Sequence, residues 1–325
     1  MKRGFWSFFI VIILTIIVFV SSAASGSLEV TVGELVKGLI TGDNEKVNII
    51  KDLRFPRLIV ALVTGAALAV SGVLLQAVMK NPLAEAGIIG ISAGGRFLFL
   101  LVMGFFPQLF FWTPLFAFLG GALACFLVFS LSWKSGLSPL RIILVGIAVN
   151  ATFTGLNQSF IYFVGSSSMT HATVSNFAMK TWGEAQVMMV YGLVGLTISL
   201  FLATWCNLLS LEDKTAKNLG FNVTVIRLLI SAVAVLLAAV TAAIAGVIAF
   251  VGLLIPHIGR ILVGTDHKAL IPFSALSGAL LILLADTIGR LILPPNDIPA
   301  SVMIMVIGGP FLIFLLRRSE RFHGN

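Results

Sequence analysis

The chain has 325 residues, of which 58% are hydrophobic and only 10% are charged, whereas soluble domains carry roughly 25% charged residues. This composition excludes an ordinary soluble domain, and because apolar runs recur along the whole chain, we expect residues 1–325 to form a single transmembrane domain. The formal net charge is +8, but the basic residues fall in short clusters between apolar runs, which indicates membrane topology rather than binding to nucleic acid.

Apolar runs of about 20 residues, the length that crosses a bilayer as a helix, predict an all-α polytopic membrane protein with about ten transmembrane helices. The predicted helices cover residues 5–25, 57–79, 87–105, 113–132, 139–164, 186–207, 226–249, 251–263, 270–288 and 298–316. The first apolar run is longer than that of a signal peptide, so we interpret it as a retained helix. The eighth is short and contains Pro256, which predicts a half-helix supported by its neighbours.

The distribution of lysine and arginine predicts the orientation, because cytoplasmic loops carry an excess of these residues. With the N-terminus inside, most of the 21 basic residues lie on the cytoplasmic side, and both termini are cytoplasmic. Residues 26–56 then form an external segment, and residues 208–225 form a cytoplasmic loop. We therefore expect a multi-pass protein of the cell membrane, with lipid around it.

Motifs for catalysis do not occur in the sequence. There is no GxxxxGK[ST] phosphate loop, so ATP hydrolysis by that route is excluded, and the four histidines show no metal-ligand spacing. We predict no catalytic residue, no metal site and no permanently bound cofactor. Asp286 is an acidic residue within a predicted transmembrane helix, where charges mark ion pairs or transport sites. It allows two interpretations: an ion pair with Arg290 one turn further on, or the proton relay of a secondary transporter.

Two ordered motifs carry a family resemblance. The first comprises residues 53–57 and 65–72, Gln76 and 81–85, and the second comprises residues 250–257, Arg260, Gly264 and 266–267. In these motifs the chain resembles the FecCD family of ABC-importer permeases, which serve iron siderophores, haem and cobalamin, and the resemblance runs essentially end to end. The motif residues with structural roles are Asn81, Pro82, Gly252, Pro256, His257 and Arg260.

Both motifs contain a proline that breaks a helix. Pro256 frees a backbone carbonyl, and we expect His257 and Arg260 to satisfy such groups near the membrane interface. For His257 this structural role is preferred to ligand binding.

The resemblance implies a permease that works by alternating access, in a homodimer or a heterodimer with a second permease subunit. It implies cytoplasmic ATPase subunits that use the ATP, and a substrate-binding lipoprotein or periplasmic binding protein outside. The chain itself would not be an enzyme. An ion- or proton-coupled secondary transporter and a membrane-embedded enzyme are the competing classes.

In the family, the cytoplasmic loop that matches residues 208–225 docks on the ATPase. From the residues, Ser210 is expected to cap the start of a short helix and Gly220 to end it. A solvated connecting turn is the alternative. The resemblance assigns the coupling role to Ser210, Leu211, Glu212, Asp213, Ala216, Leu219, Gly220 and Phe221.

At the predicted outer side, Arg54 and Arg57 precede the second helix, and Arg290 ends the ninth. Arginines at helix ends ordinarily extend to lipid headgroups. In the family the matching arginines pair with acidic residues of the binding protein, which implies that these three dock the partner.

Arg96 lies inside the third predicted helix, where a cation costs about 2.5 to 3.5 kcal/mol. It can be compensated by lipid headgroups or a neighbouring carbonyl, or it can contact an anionic cargo in the translocation path.

Met169 and His171, in the predicted outer segment 165–189, are candidate haem contacts, although methionines near membrane helices more often serve packing. Residues 179–182 resemble Gram-positive haem permeases, so haem is favoured over a hydroxamate siderophore as the cargo.

Overall fold

The computed structural model describes residues 2–25, 30–41, 44–132, 139–164, 177–292 and 296–323, and within these ranges the regular elements are all helices. We number the α-helices in chain order. They are α1 (Lys2–Ala24), α2 (Val32–Thr41), α3 (Glu45–Leu53), α4 (Phe55–Met79), α5 (Ala86–Ile89), α6 (Ile91–Phe105), α7 (Thr113–Ser132), α8 (Pro139–Val164), α9 (Trp182–Leu209), α10 (Asp213–Asn218), α11 (Val223–Ile244), α12 (Val251–Val263), α13 (His267–Ile292) and α14 (Ala300–His323).

The described part of the chain contains seven helices that are long and apolar enough to cross a membrane. Three shorter apolar helices, Ile91–Phe105, Val251–Val263 and Ala300–Ile313, complete the set. The prediction of an all-α fold with about ten transmembrane helices is confirmed. The predicted external segment 26–56 contains two short helices, α2 and α3, of which α3 leads through Arg54 into α4.

Helix α4 is the centre of the packing, because α9, α11, α12 and α13 all pack against it. Small residues allow this close approach, as expected where lipid tails supply no hydrophobic drive between helices. A Cβ atom on Gly65 would lie 2.0 Å from the carbonyl oxygen of Gly278 in α13, and one on Gly72 would lie 2.1 Å from that of Gly252 in α12. The backbones of these helices are therefore in direct contact.

Two predicted helices are interrupted in the structure. The predicted helix 87–105 is divided into α5 and α6 at Gly90, which has a φ of +83° and lies against the backbone of Asn150 in α8. The predicted helix 226–249 ends at Ile244, because Gly246 also adopts a left-handed φ of +83°. Residues 246–249 are not helical, and α12 begins after Phe250 as a 13-residue helix.

Candidate translocation path and coupling helix

A cavity of about 730 Å³ lies between α5, α6, α8, α14 and the non-helical segment 245–250. Its apolar lining is interrupted by polar side chains from α6, from α8 and from the residue that precedes α5. These polar residues are Glu85, Arg96, Asn150, Thr154, Asn157 and Gln158. A cavity of mixed polarity inside a helical membrane protein is suited to hold a polar or charged molecule at membrane depth.

Arg96 lines this cavity and is only 7% exposed. It follows Gly94 and Gly95, whose backbones contact α7, since a Cβ atom on Gly94 would lie 2.6 Å from the carbonyl oxygen of Gly120. The other face of α6 is therefore closed by α7, and the guanidinium of Arg96 lies at the cavity. The structure thus places Arg96 on the wall of this cavity, and its role in a translocation path stays a prediction. Met169 and His171, the other two predicted path residues, lie outside the described residues.

Asn157 adds a second polar group to the cavity. Its Nδ2 donates to the carbonyl oxygen of Ala93 at 3.0 Å, so it fixes α8 against α6. Its Oδ1 is buried and accepts no hydrogen bond within the described part of the chain. Sequence reasoning missed Asn157, although an amide inside the apolar run 139–164 is a signal that could have found it.

Glu85 connects the segment between α4 and α5 to the non-helical segment 245–250, and both segments border the cavity. Its carboxylate is buried, and Oε1 accepts a hydrogen bond from the backbone N–H of Phe250 at 3.0 Å. A carboxylate at this position also complements the positive end of the α12 dipole. The sequence indicates Glu85 only as part of a motif, and in the structure its hydrogen bond to Phe250 holds segment 245–250 in place.

The proline break in α12 is satisfied differently from the prediction. Pro256 leaves the carbonyl of Gly252, four residues earlier, without its helical partner. This oxygen accepts a hydrogen bond from Nε2 of Gln76 in α4 at 2.9 Å, and Oε1 of Gln76 accepts one from Arg260 at 2.6 Å. Arg260 therefore contacts Gln76, and Gln76 in turn satisfies the freed carbonyl of Gly252. The ring of His257 packs edge-on against Phe311, with ring centroids 5.9 Å apart.

The first motif forms a tight turn after α4. Lys80 adopts a left-handed φ of 49°, and the side chain of Asn81 accepts a hydrogen bond from the backbone N–H of Leu83 at 2.9 Å. Pro82 lies inside this turn and cannot continue a helix. Asn81 and Pro82 thus end α4 and turn the chain towards Glu85.

The predicted coupling loop contains the short helix α10. Gly220 ends it as predicted, with a φ of +86°, and the N–H of Phe221 bonds back to the carbonyl of Ala216 at 3.2 Å. The expected helix-capping role of Ser210 is wrong, because Ser210 terminates α9 and Glu212 precedes α10 without a side-chain hydrogen bond. Ala216 is buried, and Leu219 is 61% exposed.

Asp213 holds α10 against α11 and against Lys80, the residue that follows α4. Its Oδ1 accepts hydrogen bonds from Lys80, after α4, and from Arg227 in α11, each at 3.0 Å. Burial raises the pKa of the Asp213 carboxyl, but the bonds from Lys80 and Arg227 outweigh it, so that the pKa lies below its ordinary value. Asp213 is therefore ionised throughout the physiological range.

The three predicted docking arginines make contacts inside the protein. Arg57 is 7% exposed and binds Asp286 through two hydrogen bonds of 2.9 and 2.8 Å and Asp297 through one of 2.7 Å. Arg54 is also buried and donates to the carbonyl of Ala23 at 2.7 Å. A docking role at the outer surface implies exposed side chains, and for Arg54 and Arg57 that implication is wrong in this chain. Their docking role stays a prediction.

Arg290 is half-buried and donates to the carbonyl oxygen and the hydroxyl of Ser22 in α1. It lies 3.8 Å from Asp286, so the predicted local ion pair is present but long. The principal partner of Asp286 is Arg57, which forms the bidentate contact. Asp286 is thus part of an ion cluster that joins α4 to α13.

Within the described ranges, no group of three or more His, Cys, Asp or Glu residues could hold a metal ion. The sequence profile of the FecCD transport family matches residues 13–318. The chain belongs to this family, and it is the permease subunit of an ABC importer rather than an enzyme.

Individual relatives agree with this assignment. The chain is 40% identical over 300 residues to the "Probable heme-iron transport system permease protein IsdF" of Staphylococcus aureus strain MSSA476, covering 92% of each chain. The protein of the same name in strain Newman matches with the same identity and coverage.

Solved structures give the same architecture. The structure named "An inward-facing conformation of a putative metal-chelate type ABC transporter" is 32% identical, with a TM-score of 0.80, covering 95% of this chain and 98% of that one. PsaBC from Streptococcus pneumoniae in complex with Fab is 19% identical, with a TM-score of 0.62 and coverage of 87% and 95%, and it shows a shared fold. A permease of this kind is a multi-pass protein of the cell membrane that works with ATPase subunits, a binding protein and a second permease subunit.

Proposed function

We propose that this permease imports an iron chelate and that its cargo is haem. The observation that carries the proposal is the position of Arg96, a buried cation on the wall of the cavity of about 730 Å³. Haem carries two carboxylates, and a guanidinium suits a carboxylate because it can donate two parallel hydrogen bonds. The names of the Staphylococcus aureus relatives support haem over a hydroxamate siderophore.

We propose that the cavity is one half of the translocation path. It is only partly enclosed by this chain, and a second permease subunit, identical or different, would complete its wall. Arg96 would then meet the cargo at membrane depth, together with the free acceptor of Asn157. Met169 and His171 remain proposed contacts at the outer mouth.

We propose that α10 and its flanking residues couple the path to the ATPase. Leu211, Leu219 and Phe221 expose apolar side chains there, as a protein docking site requires. Asp213 binds Lys80, which starts the turn that leads to Glu85, and Glu85 holds the segment beside the cavity. A displacement of α10 by ATP-driven motion would therefore reach the path through a short series of contacts.

The orientation follows from this assignment, with α10 and both termini in the cytoplasm. The binding lipoprotein would dock at the other end of the molecule, where Arg54, Arg57 and Arg290 lie. Arg57 is paired with Asp286 and Asp297. The binding protein would therefore interact with the charge of the whole cluster rather than with Arg57 alone.

The test is uptake of labelled haem by cells, normalised to the amount of permease in the membrane. Replacing Arg96 with Met should lower uptake severalfold without lowering the amount of protein, because the variant removes a charge that is costly to insert. Arg96→Lys should retain part of the uptake, because the charge survives without the bidentate geometry. Normal uptake by Arg96→Met would show that Arg96 is structural and would remove the main support for haem.

A further inference from the structure

A second cavity, of about 360 Å³, lies between α7, α11 and the end of α4. It shares no lining residue with the translocation cavity. Its walls are mainly apolar, and two of its lining residues, Phe126 and Leu228, are 67% and 68% exposed. Large apolar side chains exposed on transmembrane helices face the lipid tails, so this cavity is a groove on the lipid-facing side of the chain.

One end of the groove carries charge. Arg227 lies at this end, and Thr224 and Ser231, one turn before and one turn after it in α11, also line the groove. The guanidinium of Arg227 binds both oxygens of Asp213 at 3.0 Å, and Lys80 binds the same carboxylate at 3.0 Å. Two cations surround one carboxylate, so the cluster keeps one net positive charge. In addition, the Nε–H of Arg227 is buried and makes no hydrogen bond within the described ranges.

The length of the groove matches one leaflet of a membrane. From Arg227 to Val235, α11 advances by about 12 Å at roughly 1.5 Å per residue, and one half of the hydrocarbon core is about 15 Å thick. Arg227 lies in the second turn of α11, beside the coupling helix, and Val235 lies at mid-helix. The charged end is thus at headgroup depth and the apolar end reaches towards the bilayer centre.

We propose that this groove binds one acyl chain of an anionic phospholipid, with the lipid phosphate at the cluster of Arg227 and Lys80. The apolar walls accept the chain, and the net positive charge selects the headgroup. A zwitterionic lipid would enter the same groove with less affinity, because its headgroup carries no net charge to complement the cluster. The proposal concerns a binding site and stands apart from the proposed cargo.

The experiment is native mass spectrometry of the full-length permease in a non-ionic detergent, titrated with phosphatidylglycerol or with phosphatidylcholine of the same acyl chains. We expect phosphatidylglycerol to be retained about fivefold better, the preference that one basic residue near an anionic membrane surface supplies. Arg227→Gln should abolish this preference, and Arg227→Lys should keep it. Arg141→Gln removes an exposed arginine of α8 that does not line the groove and should leave the preference unchanged.

A variant whose side chain fills the groove tests the acyl-chain site independently of the charge. Ala232 lines the groove and is half-buried, so Ala232→Phe should lower retention of both lipids severalfold while the protein stays monodisperse. Equal retention of the two lipids by the unchanged protein would overturn the proposal, as would an equal loss of preference in Arg141→Gln. Displacement of phosphatidylglycerol by glycerol phosphate alone, or undiminished retention by Ala232→Phe, would overturn the acyl-chain site.

Discussion

The ion cluster of Arg57, Asp286 and Asp297 joins α4, α13 and the segment before α14, and its removal should destabilise the permease. Asp286 is only 2% exposed and receives two hydrogen bonds from Arg57, of 2.9 and 2.8 Å. In Arg57→Leu this carboxylate stays buried without its bidentate partner, and such a loss typically costs about 3 to 5 kcal/mol. Each 1.4 kcal/mol or so changes an equilibrium constant tenfold. The ratio of folded to unfolded protein should therefore fall by roughly two to three and a half powers of ten.

The assay is the temperature at which the purified permease in detergent loses its monodisperse peak, compared among single and double variants. Arg57→Leu and Asp286→Leu should each lower this temperature. The double variant should recover part of the loss, because it no longer buries the Asp286 carboxylate without its bidentate partner, and the side chain of Asp297, which also loses Arg57, is 27% exposed. Lys180→Leu is the matched control. It breaks the partly exposed i,i+4 pair with Glu184, of 2.7 Å, which should cost less than about 1 kcal/mol.

Two results would refute this reasoning. If Arg57→Leu is as stable as Lys180→Leu, the cluster does not hold the helices together. If the double variant loses as much as the two single variants combined, the buried pair is not the source of the effect. A stable Arg57→Leu protein that no longer captures the binding protein would support a docking role in place of a structural one.

Three further predictions concern the coupling helix and the helix contacts. Gly220→Val places a β-branched residue at a φ of +86°, which costs about 1 to 2 kcal/mol, and it should lower both transport and cargo-stimulated ATPase activity in reconstituted vesicles; unchanged rates would contradict the coupling role. Asp213→Asn should lower the amount of cargo moved per ATP, measured in the same vesicles, because it weakens the ties of α10, and an unchanged ratio would count against that route. Gly278→Ala should strongly reduce the amount of permease in membranes, measured by immunoblot, because its Cβ would lie 2.2 Å from the carbonyl oxygen of Gly65. The control Gly155→Ala has nothing within 4 Å of its Cβ and should accumulate normally. Equal amounts of the two variants would contradict the packing.

The positions of the transmembrane helices could be predicted from the sequence because they depend on the length of each apolar run. The predicted helices 113–132 and 139–164 have the same bounds in the structure. The break at Gly90 could not be predicted in this way, because glycine is also common within transmembrane helices. What requires a glycine at the break is the backbone of Asn150, a residue of a different helix, since a Cβ atom on Gly90 would lie 2.9 Å from its nitrogen.

The candidate site was predictable where the signal is local. Gly220 is such a case, since a glycine after a short polar segment is typical of a helix end. The partners of Arg57 and Gln76 are separated from them by 229 and 176 positions in the chain. A single sequence therefore suggested Arg290, one turn away, as the partner of Asp286, and it contained no sign that Gln76 satisfies Gly252.

The most direct test of the account is ATP-driven haem uptake by proteoliposomes that contain the permease, its ATPase and its binding lipoprotein. We predict that haem accumulates inside only when ATP is supplied to the ATPase side, and that a hydroxamate siderophore is not taken up. A transmembrane proton gradient without ATP should move no cargo. Haem uptake driven by that gradient in vesicles with the permease alone would contradict the account.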